Sequence, residues 1–208
     1  MDVRGAVDLR VHGITPTGRV VASPSTPVLY EHAIASGEAR LAEGGPMVVD
    51  TGRHTGRSPK DKFVVREPGS ESRIWWDGNQ EIGEEAFGRL REKVTDSLGR
   101  ETTLYVVDAF AGADHAHRIA VRVVTAHPYH ALFAKTMFIE PTIAELRSFE
   151  PQALVLHAPG LEAEPKSDGT RTGTFIVLHP SRSEVIIGGT FYAGEIKKSI
   201  FTVMNDRL

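Results

Sequence analysis

The sequence predicts a mixed α/β fold, a mixed sheet with helices on its faces. Phe87, Leu90, Val94 and Leu98 recur at three- and four-residue spacing, the mark of one buried helical face. Short apolar runs at residues 104–107, 153–156, 174–178 and 184–187, separated by Gly, Pro and Asp turns, read as strands. These patterns are interleaved without strict alternation, which suits a mixed sheet covered by helices.

The elements follow in order. Val7, Leu9 and Val11 alternate weakly before the loop Ser23-Pro-Ser-Thr-Pro27. Thr26 before Pro27 is a helix entry, a capping hydroxyl followed by proline at the first helical position. Tyr30, Ala33 and Ile34 are its expected buried face, and Ser36-Gly37 its break. Gly44-Gly-Pro46 then turns the chain into a strand at residues 47–49, and a second strand occupies residues 63–65. A polar loop carries Trp75 and Trp76, expected as an aromatic pair at the edge of the core. Residues 84–98 form the clearest helix, stopped by Gly99. After the strand at 104–107, Ile119, Val121 and Val123 alternate as a half-buried strand. Residues 129–137 are expected to be helical, with Leu132, Phe133 and Met137 inward, and Thr142 caps a short helix after Pro141. Residues 162–172, rich in charge and glycine, read as a flexible surface loop. Gly188-Gly189 leads through Tyr192 to a last helix, which the sequence shows as barely formed by residue 208.

Bulk composition narrows the function. The 208 residues allow one substantial core or two small ones. A formal net charge of −3 argues against broad nucleic-acid binding, so any anion site must be a local concentration of positive charge. Cysteine is absent, which excludes disulfides and thiolate metal sites. No signal-like or membrane-length apolar run is present, which places the expected protein in the cytoplasm, away from membranes.

Two segments carry chemistry. Thr51-Gly-Arg-His-Thr-Gly-Arg-Ser-Pro-Lys-Asp-Lys62 holds two arginines, two lysines and a histidine between two strands. Glycine lets backbone approach a ligand, and arginine holds carboxylate or phosphate by paired hydrogen bonds. A solvated loop between strands explains its composition equally well. No phosphate loop of the Gly-x-x-x-x-Gly-Lys-Ser/Thr type occurs anywhere in the chain. The second segment, Gly188-Gly-Thr-Phe-Tyr-Ala-Gly-Glu-Ile-Lys-Lys-Ser199, sets Lys197 and Lys198 near a helix N-terminus, where the dipole disfavours cations by about 0.3–1 kcal/mol. Crowding there should lower the pKa of one lysine, and neutral lysine can ligate a metal. Two solvated lysines on a helix that starts earlier are the alternative. His115, His117, His127 and His130 read as turn or core residues, and Asp108 and Asp114 as turn residues around Gly112.

Together the segments resemble the ATP-dependent phosphoenolpyruvate carboxykinase family. Thr55-Gly-Arg-Ser-Pro-Lys-Asp-Lys62 and Tyr192-Ala-Gly-Glu-Ile-Lys-Lys198 are similar to two of its signatures, with Leu104-Tyr-Val-Val-Asp-Ala-Phe-Ala-Gly-Ala113 and His130-Ala-Leu-Phe-Ala-Lys-Thr-Met-Phe-Ile-Glu-Pro141 between them in the family's order. The resemblance implies reversible conversion of oxaloacetate and ATP to phosphoenolpyruvate, CO2 and ADP in gluconeogenesis. It implies that Arg57 holds the substrate carboxylate or departing CO2 and that Tyr192 contacts the substrate. Lys198 would be catalytic, touching substrate and ATP phosphate and ligating Mn2+ as a neutral amine, and Lys197 would be the charged catalytic partner to the phosphoryl oxygens. Mg2+ would accompany ATP in the complete enzyme. The family's phosphate loop and other metal ligands belong to a C-terminal nucleotide-binding domain not seen here. Residues 1–208 are thus expected as the N-terminal domain, with residues 1–25 a leading segment. Oxaloacetate or phosphoenolpyruvate would be partners of this chain, ATP only with the missing domain, and the isolated chain would be inactive. A non-enzymatic anion-binding domain and a truncated remnant are the alternatives.

Overall fold

The structure, a computed structural model, describes residues 7–207. Residues 1–6 and 208, named in the leading segment and the last helix above, lie outside them. After a 3-10 turn at Leu9–His12 the chain forms β1 (Arg19–Ala22), α1 (Thr26–Ala35), β2 (Ala39–Leu41), β3 (Met47–Val49) and β4 (Lys62–Arg66). There follow β5 (Gln80–Gly83), α2 (Glu84–Gly99), β6 (Thr103–Ala111), β7 (Ile119–Thr125), α3 (Pro128–Met137) and α4 (Ile143–Arg147). The last elements are β8 (Ala153–Ala158), α5 (Pro165–Asp168), β9 (Phe175–His179), β10 (Glu184–Gly188) and α6 (Gly194–Arg207).

Eight strands form one sheet in the order β1-β6-β7-β8-β10-β9-β4-β5, and β2 and β3 pair separately. The sheet is mixed: β6 with β7 and β9 with β10 are antiparallel, the other neighbours parallel. The expected architecture is therefore present. One face packs on α2, whose Phe87, Leu90, Val94 and Leu98 are fully buried, each worth about 1.5–3 kcal/mol relative to exposure. The other face packs on Leu29 of α1, Ala131 and Leu132 of α3, and Ile196, Ile200 and Val203 of α6. This second layer positions the pocket described below.

Because both faces are covered, β7 is buried along its whole length rather than half-buried. Val121 and Val123 enter one core and Val124 the other. In α1 the cap is Ser25, not Thr26, and the buried residues are Leu29 and Ala33, while Ile34 is 41% exposed. The alternation at Val7, Leu9 and Val11 is no strand: Leu9 is buried in the 3-10 turn and Val11 faces solvent. Trp75 is 73% exposed, and Trp76 lies under the Arg66 guanidinium rather than in the core.

Residues 162–172 lie largely at the surface, as expected, and are anchored to the body of the fold. Asp168 of α5 is buried, and both its carboxylate oxygens accept from Lys93 Nζ at 2.8 Å. Asp108 is a strand residue, paired by two hydrogen bonds with Arg122 directly opposite on β7, whereas Asp114 does serve a turn. Thr142 forms the expected cap, reinforced by Glu145. The last helix runs over Gly194–Arg207 and is packed: Asp206 pairs with Arg73, and Arg207 donates to Gln152 O.

Candidate functional site

Residues 51–61 lie in the connection from β3 to β4, and Lys62 opens β4. The cations of this segment take different direct partners, although the sequence groups them. Arg53 pairs with Glu162 at 2.7 Å, and Lys60 faces solvent. Lys62 donates to Thr202 Oγ1 of α6 at 3.1 Å. Asp61 is buried and held by Arg171 and Thr172. That leaves Arg57, an exposed side chain with no hydrogen bond or ion pair among the described residues.

His54 supports the loop from behind, with Nδ1 3.1 Å from Ser58 Oγ and Nε2 3.0 Å from Thr174 Oγ1. The amide of Ser58 donates to Glu195 Oε1 at 2.6 Å, joining the two segments singled out by sequence. Glu195 lies in the first turn of α6, where an acid complements the helix dipole that the lysines oppose. Burial raises its pKa, against the hydrogen bond from Ser58 and the charges of Arg57 and Lys62.

The approach to α6 needs glycine at 188 and 189. Gly189 has φ +68°, and a Cβ there would stand 2.5 Å from Gly173 O. A Cβ on Gly188 would stand 2.3 Å from the Phe175 ring. Tyr192 follows, its ring so close to Gly194 that a Cβ at 194 would be 2.5 Å from the ring edge. In α6, Lys197 is exposed and unpaired among the described residues, and Lys198 Nζ lies 4.6 Å above the Phe201 ring.

Arg57, Tyr192, Lys197 and Lys198 all line one pocket of about 680 Å³. Its apolar wall is Val49, Tyr129, Phe133, Met137 and Phe201. Phe133, expected to point into the core, packs against Ala33, Tyr129 and Ala193 and borders the pocket as well, whereas Met137, also expected inward, is 41% exposed at the pocket. A cationic cluster with an apolar wall suits a small anion whose charge must be held away from water.

Sequence reasoning gave Lys62 and Glu195 no role. Lys62 is the lysine whose pKa the site lowers, first by burial and then by the charges of Lys198 and Arg57. Its position at the first residue of a strand gave no signal of this. His115 and His117 lie in a turn, His127 pairs with Glu38, and His130 is fully buried, as their turn-or-core reading expected. Among the described residues no three His, Asp or Glu side chains come together to hold a metal ion, and no helix is long and apolar enough to cross a membrane.

The family model for phosphoenolpyruvate carboxykinase matches residues 18–208, both site segments included. The chain belongs to the phosphoenolpyruvate carboxykinase family. It is 52% identical over 202 residues to the phosphoenolpyruvate carboxykinase (ATP) of Thermus thermophilus, covering 95% of this chain and 38% of that protein. The Deinococcus radiodurans protein of the same name is 45% identical over 203 residues, covering 97% of this chain and 43% of its own length. That of Parvibaculum lavamentivorans is 46% identical over 181 residues, 86% of this chain and 33% of its own. The chain spans well under half the length of these carboxykinases, and the pocket lies inside the shared region.

Proposed function

We propose that this chain is the N-terminal domain of an ATP-dependent phosphoenolpyruvate carboxykinase and forms the substrate-side wall of its active site. The observation that carries the reading is the convergence of Arg57, Tyr192, Lys197 and Lys198 on one pocket, with Arg57 and Lys197 unpaired among the described residues. In the proposed reaction the C–C bond to the departing carboxyl of oxaloacetate breaks, leaving its electron pair in an enolate. The enolate oxygen then attacks the γ-phosphorus of ATP, an O–P bond forms, and ADP leaves with the electrons of the broken bond.

Each residue has a task in that sequence. Arg57 holds the carboxylate or the released CO2, since a guanidinium binds a carboxylate by two parallel bonds. Tyr192 packs on the substrate from the mouth of α6. Lys197 offsets charge on the phosphoryl oxygens, and Lys198 touches both substrate and phosphate. Charge held in place before the enolate forms is what lowers the barrier. Among the described residues Lys198 Nζ has no hydrogen bond or ion pair and lies over the Phe201 ring, which leaves its nitrogen open as one ligand for manganese. Bound Mn2+, with Mg2+ on ATP, would withdraw charge from the enolate and phosphoryl oxygens. The sequence has no phosphate loop and the described residues hold no further metal-ligand cluster, so both would come from the longer part of the relatives. A cytoplasmic, gluconeogenic role goes with this reading.

Oxalate, a stable mimic of the enolate's two oxygens, tests it by titration calorimetry. Oxalate is expected to bind the chain and to bind about 10- to 100-fold more weakly after Arg57→Ala, the loss of a charge-assisted pair. Equal binding by parent and variant would remove Arg57 from the site. Purified chain alone is expected to turn over no oxaloacetate with ATP, and measured turnover would show that the nucleotide site is complete without further sequence.

A further inference from the structure

Beneath the pocket wall, consecutive backbone carbonyls are captured by side chains of β8, of α3 and of the residue before β9. Gly189 O accepts from Thr174 Oγ1 at 2.9 Å, and Thr190 O accepts from His157 Nε2 at 3.1 Å. Phe191 O accepts from His130 Nε2 at 2.9 Å and also from the Tyr129 hydroxyl. The next residue is Tyr192, whose own amide donates to Thr190 Oγ1 at 3.1 Å.

A carbonyl only accepts, so each Nε2 must carry the proton, and in a neutral ring Nδ1 is then bare. The Nδ1 atoms of both histidines are indeed buried without a hydrogen-bond partner. Both rings are fully buried, with centroids 4.3 Å apart. Around His130 lie Tyr129, Phe191 and His127, and His127 is itself bonded to Glu38 at 2.8 Å. Burial lowers the pKa of each histidine, which holds both neutral. Apolar side chains would fill this space without stranding two ring nitrogens, but they could not donate to carbonyls as the chain leaves the sheet.

We propose that His130 and His157 are positioning residues, neutral Nε2–H donors that fix the backbone at 189–191 so that Tyr192 stands against the pocket. The backbone latch stands on geometry alone, while its consequence for ligand binding rests on the function proposed above.

Side-chain 15N spectra of the chain near neutral pH test the latch first. Both rings are expected as neutral tautomers protonated at Nε2, and an Nδ1–H tautomer or an imidazolium at either would overturn the proposal. Replacing His157 by leucine is expected to abolish the through-space signal between the Tyr192 ring and Gly194 and to weaken oxalate binding about tenfold. His157→Gln, whose amide nitrogen replaces Nε2, should keep that signal and bind oxalate within about threefold of the parent. A folded His157→Leu chain that keeps the signal overturns the proposal, whatever its oxalate affinity. Loss of the signal in a chain whose parent never bound oxalate would support the latch and reject the substrate reading. If His157→Leu does not fold, the tautomers and the glutamine variant decide: a glutamine variant that loses the signal sinks the donor role, and one that keeps it supports it.

Discussion

Replacing Gly189 by alanine is expected to destabilise the chain by roughly 2–5 kcal/mol, from a left-handed backbone and a steric clash together. The backbone at 189 has φ +68°, a region costing an L-residue about 1–2 kcal/mol. The added Cβ would stand 2.5 Å from Gly173 O and 2.8 Å from Thr174 Cα, both backbone atoms that cannot swing aside. Relief therefore requires moving β9 or the loop into α6, and that loop carries Tyr192. Denaturant unfolding checks it, with Gly88→Ala as the control. Gly88 lies within α2 with nothing within 4 Å of a built Cβ, so alanine there should be neutral or stabilising by up to about 1 kcal/mol. Equal midpoints for Gly189→Ala and parent would dispose of the strain argument.

Acid should begin to destabilise the chain above the range in which most of its carboxylates titrate. Burial lowers His157 from 6.5 to about 4, and His130 falls further below the same ordinary value. Between pH 6.5 and 4 the unfolded chain binds protons that the folded chain refuses, so stability falls as pH falls through that window. His157 alone removes about 2 kcal/mol by pH 5 and about 3 kcal/mol by pH 4. His12, part-buried beside Arg122, adds loss in the same direction.

Glu67 and Glu145 work in a lower window. They are held at about 2, chiefly by the Ser181 hydroxyl and the Thr142 amide, so their loss begins only near the ordinary value of 4.5. Glu195, raised by burial, opposes the trend. Unfolding free energies at pH 7, 6 and 5 check the slope, and His157→Gln should flatten part of it. A stability unchanged between pH 7 and pH 5 would contradict the buried neutral histidines.

How much was legible in the sequence depended on the range of the interaction. The helix carrying Phe87, Leu90, Val94 and Leu98 was legible because one face of one element is read at fixed spacing. The Thr142 cap was legible because its partner, Glu145, lies three residues away. β5 and β1 were missed, since each is short and paired only along one edge. Met137 shows the limit of apolar patterning: its spacing put it on the inward face, yet it stands 41% exposed at the pocket.

The sequence by itself determined the mixed α/β class and the family and singled out the two candidate site segments, because these are written in local spacing and in ordered motifs. It also pointed to Arg57, Tyr192, Lys197 and Lys198. Only the tertiary structure decided which cation of residues 51–62 faces the pocket and which are spent on Glu162, Thr202 or solvent. It alone joined Ser58 to Glu195 and put His130 and His157 under the Tyr192 loop. The reason is physical: charge partners and buried donors are chosen by distance in space, and these pairs lie tens to more than a hundred residues apart along the chain.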